Sequence, residues 1–180
     1  MNRRALLLTG TAVMVMLAFD MLRRRHNVAA ATASAQGAFE ITHTPAEWKK
    51  ILTPEQFAVL REEATERAFS SPLNGEKRAG TFHCAGCDLP LYGSEAKFDS
   101  NTGWPSFTEP LPGAIGTKED NSLFATRTEV HCRRCGGHLG HVFDDGPPPK
   151  GLRYCMNGTA LTFELATGSM VDDPPEPSQS

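Results

Sequence analysis

The sequence has no excess of basic residues. Its 180 residues include 18 Lys and Arg and 21 Asp and Glu, so the formal net charge is −3. Five of the arginines lie in the first 35 residues, and the rest of the chain has 13 basic and 20 acidic residues, a charge of −7. An acidic chain of this kind does not attract phosphate backbones, which argues against a nucleic acid partner.

The N-terminus lacks an apolar run of the length that a membrane span requires. Ala5–Phe19 has 15 residues, and a membrane helix needs about 20. Arg3 and Arg4 precede this run, and Ala33-Ser34-Ala35 fits the small-residue cleavage pattern of a secretory signal. A paired arginine in this place is typical of the bacterial twin-arginine export signal. Residues 1–35 are therefore predicted to direct the protein to the periplasm.

An uncleaved N-terminal anchor is the alternative. Asp20 and Arg23-Arg24-Arg25 follow the apolar run, and the cleavage pattern ends 16 residues beyond Phe19. Residues 5–19 would then hold the protein to the membrane. The remaining chain of about 145 residues has the length of one ordinary domain, predicted to span residues 36–168. Residues 169–180 are proline-rich and acidic and are predicted to form a disordered tail.

From Thr81 onward the sequence lacks a helical period. Short apolar runs are instead broken by Gly, Pro, Asn and Asp, which is typical of an antiparallel β domain. The runs are Leu91-Tyr92, Leu123–Thr126, Leu139–Phe143 and Ala160–Leu165. The predicted fold is therefore mainly β.

Two short helices are predicted before the β region. Thr44-Pro45-Ala46-Glu47 and Thr53-Pro54-Glu55-Gln56 both fit a capping box with proline at the first helical position. The second helix is predicted to run from Pro54 to about Ala68.

The sequence also lacks a sixth cysteine. Four of its five cysteines form two C-x-x-C pairs, Cys84 with Cys87 and Cys132 with Cys135, and Cys155 stands apart. Four thiolates suit a closed tetrahedral zinc site, which has no open position for chemistry. Cys155 is then the one thiol left to react, and it has no partner for an internal disulfide.

The spacing of the two pairs leaves other uses open. There are 44 residues between Cys87 and Cys132, compared with about 15–20 in compact zinc ribbons, so the fold itself must bring the pairs together. Two disulfides are an alternative in an oxidising compartment. Redox-active pairs are another, although such a pair usually begins a helix and neither pair precedes a helical pattern.

The residues around Cys155 suit a reactive thiol. A nucleophilic cysteine must be a thiolate, which cationic neighbours favour. If the segment is a strand, Arg153 and Asn157 share one face with Cys155, since each is two positions away. The alternative is that Cys155 is a small buried hydrophobic residue, as free cysteines often are.

Histidine and tryptophan supply the other candidate site residues. His138 and His141 could act as acid or base near neutral pH. In an extended segment they would point to opposite faces and in a turn they could converge; as an alternative, they only pack beside the zinc ligands. Trp104 lies between Gly103 and Pro105 on a stiff turn, where its indole could form a pocket wall or fill the core.

Taken together, these motifs resemble the B-type methionine sulfoxide reductases, which act on the R epimer. The match covers roughly residues 44–166, and the motifs occur in the family's order. They are Cys84-x-x-Cys87, Gly103-Trp104-Pro105-Ser106-Phe107, Cys132-x-x-Cys135, His138-Leu139-Gly140-His141-Val142-Phe143 and Arg153-Tyr154-Cys155-Met156-Asn157, with a further similarity at Thr65–Ser70.

The resemblance implies two small antiparallel sheets with N-terminal helices and a structural zinc held by Cys84, Cys87, Cys132 and Cys135. It implies an enzyme that repairs oxidised proteins, in which Cys155 attacks the sulfoxide sulfur and becomes a sulfenic acid. Separately, nothing in the sequence suggests more than a monomer. His141 or His138 would protonate the leaving oxygen, and Trp104 would hold the substrate methyl group. Arg153 and Asn157 would tune the thiolate and order the site.

One departure from the family concerns recycling. Many members have a resolving cysteine just before the Gly-Trp-Pro motif, and this chain has Ser100-Asn101-Thr102 there. Thr102 is predicted to occupy that position, so an external reductant, a thioredoxin-like protein or a small thiol, would have to reduce the sulfenic acid. Two other hypotheses are a zinc-stabilised binding module with Cys155 buried and a cysteine-based peroxidase.

Overall fold

The computed structural model of the chain describes residues 39–122 and 125–166. The predicted export signal or anchor (1–35) and the predicted tail (169–180) lie outside the described residues, as do Leu123 and Phe124. No helix within the described ranges is long and apolar enough to cross a membrane.

Two helices precede the β region, α1 (Pro45–Ile51) and α2 (Pro54–Glu62). Both begin with the predicted capping box. The Thr44 hydroxyl accepts the Glu47 N–H at 3.3 Å, and Glu47 accepts the Thr44 N–H at 2.7 Å. The same exchange joins Thr53 and Gln56 at 3.2 and 3.1 Å. Each box pairs backbone donors that a helix start would otherwise leave unsatisfied.

The predicted end of α2 near Ala68 is wrong, because the helix ends at Glu62. Glu63 is in the left-handed conformation (φ 56°), and the Ala64 N–H donates back to the Ala58 carbonyl at 3.0 Å. This is the capping pattern that closes many helices. Beyond this cap the backbone donates to distant groups, as the Glu66 N–H does to Asn157. In a continuing helix that N–H would be bonded within the helix.

Nine strands lie within the described residues, and every strand pair is antiparallel. They are β1 (Gly80–Cys84), β2 (Pro90–Gly93), β3 (Lys97–Phe98), β4 (Ser106–Phe107), β5 (Ile115–Asp120), β6 (Arg127–Cys132), β7 (His138–Phe143), β8 (Arg153–Met156) and β9 (Leu161–Leu165). One sheet has the order β2-β1-β9, and the other has the order β3-β4-β8-β7-β6-β5. The predicted mainly β fold with two small antiparallel sheets and short N-terminal helices is confirmed.

Three of the four predicted runs contribute to strands, namely β2, β7 and β9. Of the fourth run, Leu123–Thr126, the structure describes only the last two residues. Its described residues, Ala125 and Thr126, precede the start of β6 at Arg127. Short apolar runs do not reveal where pairing begins, because register is set by the neighbouring strands.

An aromatic cluster joins the two sheets. Tyr92 of β2 stacks on Phe107 of β4 with ring centroids 4.3 Å apart, and Phe82 of β1 meets Phe107 edge-on at 5.0 Å. The Tyr92 hydroxyl donates to the Met156 sulfur at 3.1 Å. All four side chains are fully buried. Packing of this kind allows little displacement, so β4 and β8 hold their functional residues in fixed positions.

Candidate active site and metal centre

The register of four adjacent strands aligns Ser106, Cys155, His141 and Glu129 in one row across the larger sheet. Cys155 pairs with Ser106 on one side and with His141 on the other, and His141 pairs with Glu129. Directly opposed residues in an antiparallel pair have their side chains on the same face, about 5 Å apart. The candidate nucleophile therefore lies beside an imidazole.

The two histidines converge although they lie on a strand. Strict alternation would place His138 and His141 on opposite faces, but a bulge at Leu139 interrupts it: Val130 pairs with Gly140, and His131 pairs with His138. The extra residue shifts the alternation by one. The rings of His138 and His141 are consequently 5.4 Å apart in an edge-on arrangement.

Gly140 is needed next to this bulge. Its backbone φ is +157°, and a Cβ at this position would lie 2.1 Å from the Cys155 carbonyl oxygen. A side chain at position 140 would thus separate β7 from β8 at the candidate nucleophile.

Each histidine is bonded to a carboxylate that the sequence reasoning missed. His138 Nδ1 lies 2.7 Å from Glu129 Oε1, and both side chains are buried. His141 Nε2 lies 2.8 Å from Asp120 Oδ2. These partners are 9 and 21 residues away along the chain and belong to other strands, so no local pattern marks them.

Burial and charge act in opposite directions on these imidazoles. Desolvation lowers the pKa of both His138 and His141 below the ordinary value, while the hydrogen bond to Asp120 acts to raise the pKa of His141. Hydrogen bonds from Ser122, then from His141 and Arg127, hold the pKa of Asp120 well below its usual range. Asp120 is therefore a fixed anion that favours the protonated form of His141.

Arg153 is a fixed cation next to Cys155. Its guanidinium makes two 2.8 Å bonds to the Asp145 carboxylate and lies over the Phe143 ring, 4.5 Å from the centroid. Asp145 raises the pKa of Arg153, and the negative charge of an ionised Cys155 raises it further. Arg153 thus lies within electrostatic reach of Cys155, two positions before it on β8.

Asn157 and Glu66 organise the backbone around the site. The Asn157 amide donates to the Leu139 carbonyl at 3.0 Å and accepts the Glu66 N–H at 3.0 Å, and only 3% of the residue is exposed. The Glu66 carboxylate accepts the N–H groups of Gly158 and Thr159 at 2.7 Å each. The sequence reasoning did not assign Glu66 any role, because its partners are more than 90 residues away.

Trp104 also depends on Glu66. Its indole N–H donates to the Glu66 carbonyl at 3.2 Å, which orients the ring at the edge of a cleft of about 140 Å³. The cleft is lined by Thr65, Trp104, Arg127, Gly140, His141, Phe143, Cys155 and Asn157. Trp104, His141, Cys155 and Asn157 are thus brought together, while His138 and Arg153 are not part of the lining.

A chain of hydroxyl groups leads to the sulfur of Cys155. Thr102 Oγ1 lies 3.9 Å from Cys155 Sγ and 2.8 Å from Ser100 Oγ, which is 2.7 Å from Ser106 Oγ. The Ser106 hydroxyl also donates to the Trp104 carbonyl at 3.2 Å. Thr102 therefore lies next to the sulfur of Cys155.

The four remaining cysteines form one cluster between the two sheets. Cys84 ends β1, Cys132 ends β6, and the turns that follow contain Cys87 and Cys135. All four sulfurs lie within 4.8 Å of one another, with 3.8 Å between Cys84 and Cys135 and 3.5 Å between Cys87 and Cys132. A disulfide would need about 2.05 Å, and none is present among these residues.

The donor set fits a tetrahedral zinc ion. Four sulfurs at about 2.3 Å from zinc are about 3.8 Å from one another, close to the separations observed. Hydrogen bonding among the thiols, with Cys132 first, raises the pKa of Cys84 and Cys87 above the ordinary thiol value and lowers that of Cys135. Cys84, Cys132 and Cys135 are buried and Cys87 is half-buried, so four thiolates packed this closely require a positive charge to compensate them. Arg61 Nη2 already donates to Cys135 Sγ at 3.1 Å from α2.

The fold and the site define a class of protein. A half-buried lone thiol lies in an aromatic-walled cleft beside a carboxylate-linked imidazole, and a separate four-sulfur cluster joins the sheets. These features together are typical of a thiol-dependent oxidoreductase that also has a four-cysteine metal-binding cluster.

Comparisons with known proteins identify the family. The SelR domain family model matches residues 52–165. The chain is 50% identical over 126 residues to "Peptide methionine sulfoxide reductase MsrB" of Agrobacterium fabrum, covering 69% of this chain and 93% of that protein. It is 55% identical over 119 residues to the protein of the same name from Bradyrhizobium diazoefficiens, covering 66% and 86%. The chain therefore belongs to the B-type methionine sulfoxide reductases, which carry the SelR domain.

A solved structure, "Crystal Structure of Mis18 'Yippee-like' Domain", covers 51% of this chain at 16% identity with a TM-score of 0.39. This likeness is too weak to bear on function.

Proposed function

We propose that this enzyme reduces the R epimer of methionine sulfoxide to methionine, in oxidised proteins and as the free amino acid, with Cys155 as its nucleophile. The observation that carries the proposal is the position of Cys155, in one cleft with Trp104 and beside His141. The choice of epimer rests on family membership. Turnover of separated R and S derivatives by the full chain, with dithiothreitol as reductant, tests the proposal.

The proposed chemistry balances in two stages. The Cys155 thiolate attacks the sulfoxide sulfur and forms an S–S bond, while the oxygen takes up two protons and leaves that sulfur as water. A water molecule then attacks Cys155 Sγ and loses a proton, the S–S bond breaks, and methionine leaves with Cys155 as a sulfenic acid. The methionine sulfur gains two electrons and the cysteine sulfur loses two. Two external thiols then return Cys155 to the thiol, with a disulfide and water as products.

The surrounding side chains suit these steps. His141 lines the cleft and is paired with Cys155, so it is the better placed proton donor, while buried His138 supports it from behind. Trp104 offers an apolar wall for the substrate methyl group. Arg153 supplies positive charge to the thiolate, and Asn157 keeps β7, β8 and the segment at Glu66 together.

Variants of the two carboxylates can distinguish which histidine controls the pH dependence of kcat/KM. Asp120→Asn removes the anion that raises the pKa of His141, so a smaller fraction of His141 is protonated at any pH above that pKa. The alkaline limb of kcat/KM should therefore move to lower pH, with activity at pH 8 falling about tenfold. Pre-steady-state reduction of the substrate across pH 5–9 measures this.

Glu129→Gln is the matched variant, since it changes the partner of His138. We expect a smaller displacement of the same limb. A larger displacement for Glu129→Gln than for Asp120→Asn would assign the proton donor to His138 instead. Circular dichroism of both variants establishes that they are folded.

We further propose that recycling of Cys155 needs an external thiol. The support for this is that the residue next to the Cys155 sulfur is Thr102, which cannot form a disulfide. Thr102→Cys would place a second sulfur about where an oxygen now lies, 3.9 Å from Cys155 Sγ. We expect this variant to form a disulfide between the introduced cysteine and Cys155 after one turnover, seen by mass spectrometry of the unreduced protein. Thioredoxin should then reduce the oxidised variant about tenfold faster than it reduces oxidised wild type.

Thr102→Ser is the control and should give no disulfide. If wild-type protein formed an intramolecular disulfide through Cys155 after a single turnover, direct reduction by an external thiol would be refuted.

The zinc ion, the state of assembly and the location complete the proposal. Cys84, Cys87, Cys132 and Cys135 would hold zinc, which would act structurally and take no part in the reaction. The protein would act as a monomer in the periplasm, directed there by residues 1–35 as a twin-arginine signal or held there by residues 5–19 as an anchor. Fractionation of cells that carry Arg3→Lys and Arg4→Lys would test the location, since cytoplasmic retention is expected.

A cysteine-based peroxidase is the second candidate, favoured only by the lone thiol itself. Hydrogen peroxide in place of the sulfoxide distinguishes the two. A zinc-stabilised binding module fits less well, because Cys155 lines a cleft and is not a fully buried filler.

A further inference from the structure

We propose that a second cavity beside the catalytic cleft binds an apolar side chain next to the methionine sulfoxide in a polypeptide substrate. The proposal rests on the proposed function, because it extends the same site from the oxidised side chain to its neighbours. The cavity is about 250 Å³ and shares Trp104 with the catalytic cleft as a common wall. Phe69 and Phe98 supply its other aromatic surfaces.

Phe69 is unusual both in exposure and in conformation. The residue is 72% exposed, the largest fraction among the exposed large hydrophobic residues of the described ranges. Its backbone φ is +64°, a region that non-glycine residues rarely adopt. Such a conformation persists only when the neighbouring structure enforces it, and it is often found at functional surfaces.

The enforcing contacts come from the loop that also carries Trp104. The Phe69 N–H donates to the Gly103 carbonyl at 2.7 Å, and the Asn74 amide donates to the same oxygen at 2.7 Å. A Cβ on Gly103 would lie 2.9 Å from the Phe69 ring and 2.8 Å from the Ala68 Cβ. Phe69 is therefore held against the residue before Trp104, facing solvent at the edge of the candidate active site.

A protein substrate must cover this surface. Methionine sulfoxide in a polypeptide brings its neighbours with it, and an extended chain advances only about 3.3–3.6 Å per residue. Residues one or two positions from the methionine therefore lie within about 7 Å of its backbone, over the rim of the cleft. A cavity that shares the cleft's own tryptophan is within their reach.

The charges in the cavity do not select an ionic occupant. Lys97 and Asp99 both line it and carry opposite charges, so neither sign of ligand is preferred. The Lys97 ammonium already donates to the Asn74 carbonyl at 2.8 Å. The most exposed apolar surface in the lining is that of Phe69, and an aromatic or aliphatic side chain gains most from contact with it.

Steady-state kinetics with three substrates test the proposal on the full chain. The substrates are N-acetyl methionine-R-sulfoxide and two otherwise identical peptides that have Phe or Ala beside the oxidised methionine. Phe69→Asn removes the ring and retains a residue that tolerates positive φ. We expect its KM for the Phe peptide to rise about fivefold to tenfold, with kcat and the KM for the N-acetyl compound unchanged.

Two further variants distinguish a contact from a structural effect. Phe69→Tyr keeps the ring and should restore the KM for the Phe peptide. Ile51→Asn changes another exposed apolar residue, on α1, that lines neither cavity, and it should leave all three substrates unaffected. An equal loss for the N-acetyl compound and both peptides, or no change for the Phe peptide, would overturn the proposal.

Binding to an inactive protein makes the test independent of turnover. A fluorescent Phe peptide with methionine sulfoxide should bind Cys155→Ser about fivefold to tenfold more tightly than it binds Cys155→Ser with Phe69→Asn. Equal affinities would overturn the second cavity as a subsite. Absence of turnover by wild-type protein, with this affinity difference intact, would instead count against the proposed reaction alone.

Discussion

Cys155→Ser is expected to abolish reduction of methionine-R-sulfoxide while leaving the protein folded. A serine hydroxyl is not ionised near neutral pH and cannot attack the sulfoxide sulfur, whereas a thiolate can. The side chain is half-buried and of similar size, so packing changes little. We expect kcat/KM for the R epimer to fall by at least about 10³-fold, and the S epimer to be untouched by either protein.

The measurement uses the full chain with dithiothreitol and chirally separated substrates, and zinc content and thermal midpoint are recorded for both proteins. The variant should match wild type in both. Activity of Cys155→Ser close to that of wild type would remove Cys155 from the mechanism. A folded, zinc-loaded wild-type protein that turned over neither epimer would favour the binding-module hypothesis, and turnover of peroxide alone would favour the peroxidase.

Cys84→Ser should cost the protein its metal and much of its stability. Cys84 is 1% exposed and ends β1 of the smaller sheet. Its sulfur lies beside those of Cys132 and Cys135, at the end of β6 of the larger sheet and in the turn that follows, so the cluster joins the two sheets. Loss of one ligand leaves three thiols, two of them buried, which cannot complete a tetrahedral set; the binding free energy of a structural zinc is also folding free energy. We expect a loss of about 3–5 kcal/mol, a fall of roughly 10–20 °C in thermal midpoint.

Metal analysis and thermal unfolding test this together. Wild type and Cys155→Ser should each hold one zinc per chain, and Cys84→Ser should hold much less. A strong chelator should lower the midpoint of wild type toward that of Cys84→Ser. A protein purified without metal, whose midpoint responds to dithiothreitol and not to the chelator, would point to disulfides between the pairs.

The local signals in the sequence were dependable where one short segment contains all the interacting groups. Both capping boxes form as predicted, because a threonine and a Glu or Gln three residues later complete each other's bonds. The four-plus-one division of the cysteines likewise follows from counting alone, and the four paired cysteines do converge. The predicted end of α2 near Ala68 was wrong, because the helix ends at Glu62 and is capped by Glu63 in the left-handed conformation.

The convergence of His138 and His141 shows what local pattern misses. Their spacing of three predicts opposite faces on a strand, and only the pairing of β6 with β7 reveals the bulge at Leu139 that turns them together. The same holds for Thr102, whose closeness to the Cys155 sulfur depends on how the loop before β4 lies over β8.

The sequence by itself determined the types of side chain available for chemistry, the two C-x-x-C knuckles, the helix starts and the mainly β class. It did so because these depend on residues a few positions apart, whose geometry the backbone limits to a few conformations. The tertiary structure decided which groups act on one another: Asp120 on His141, Glu129 on His138, and Glu66 on both Asn157 and Trp104. Those contacts join distant strands and loops, and their register is set by packing across the whole domain.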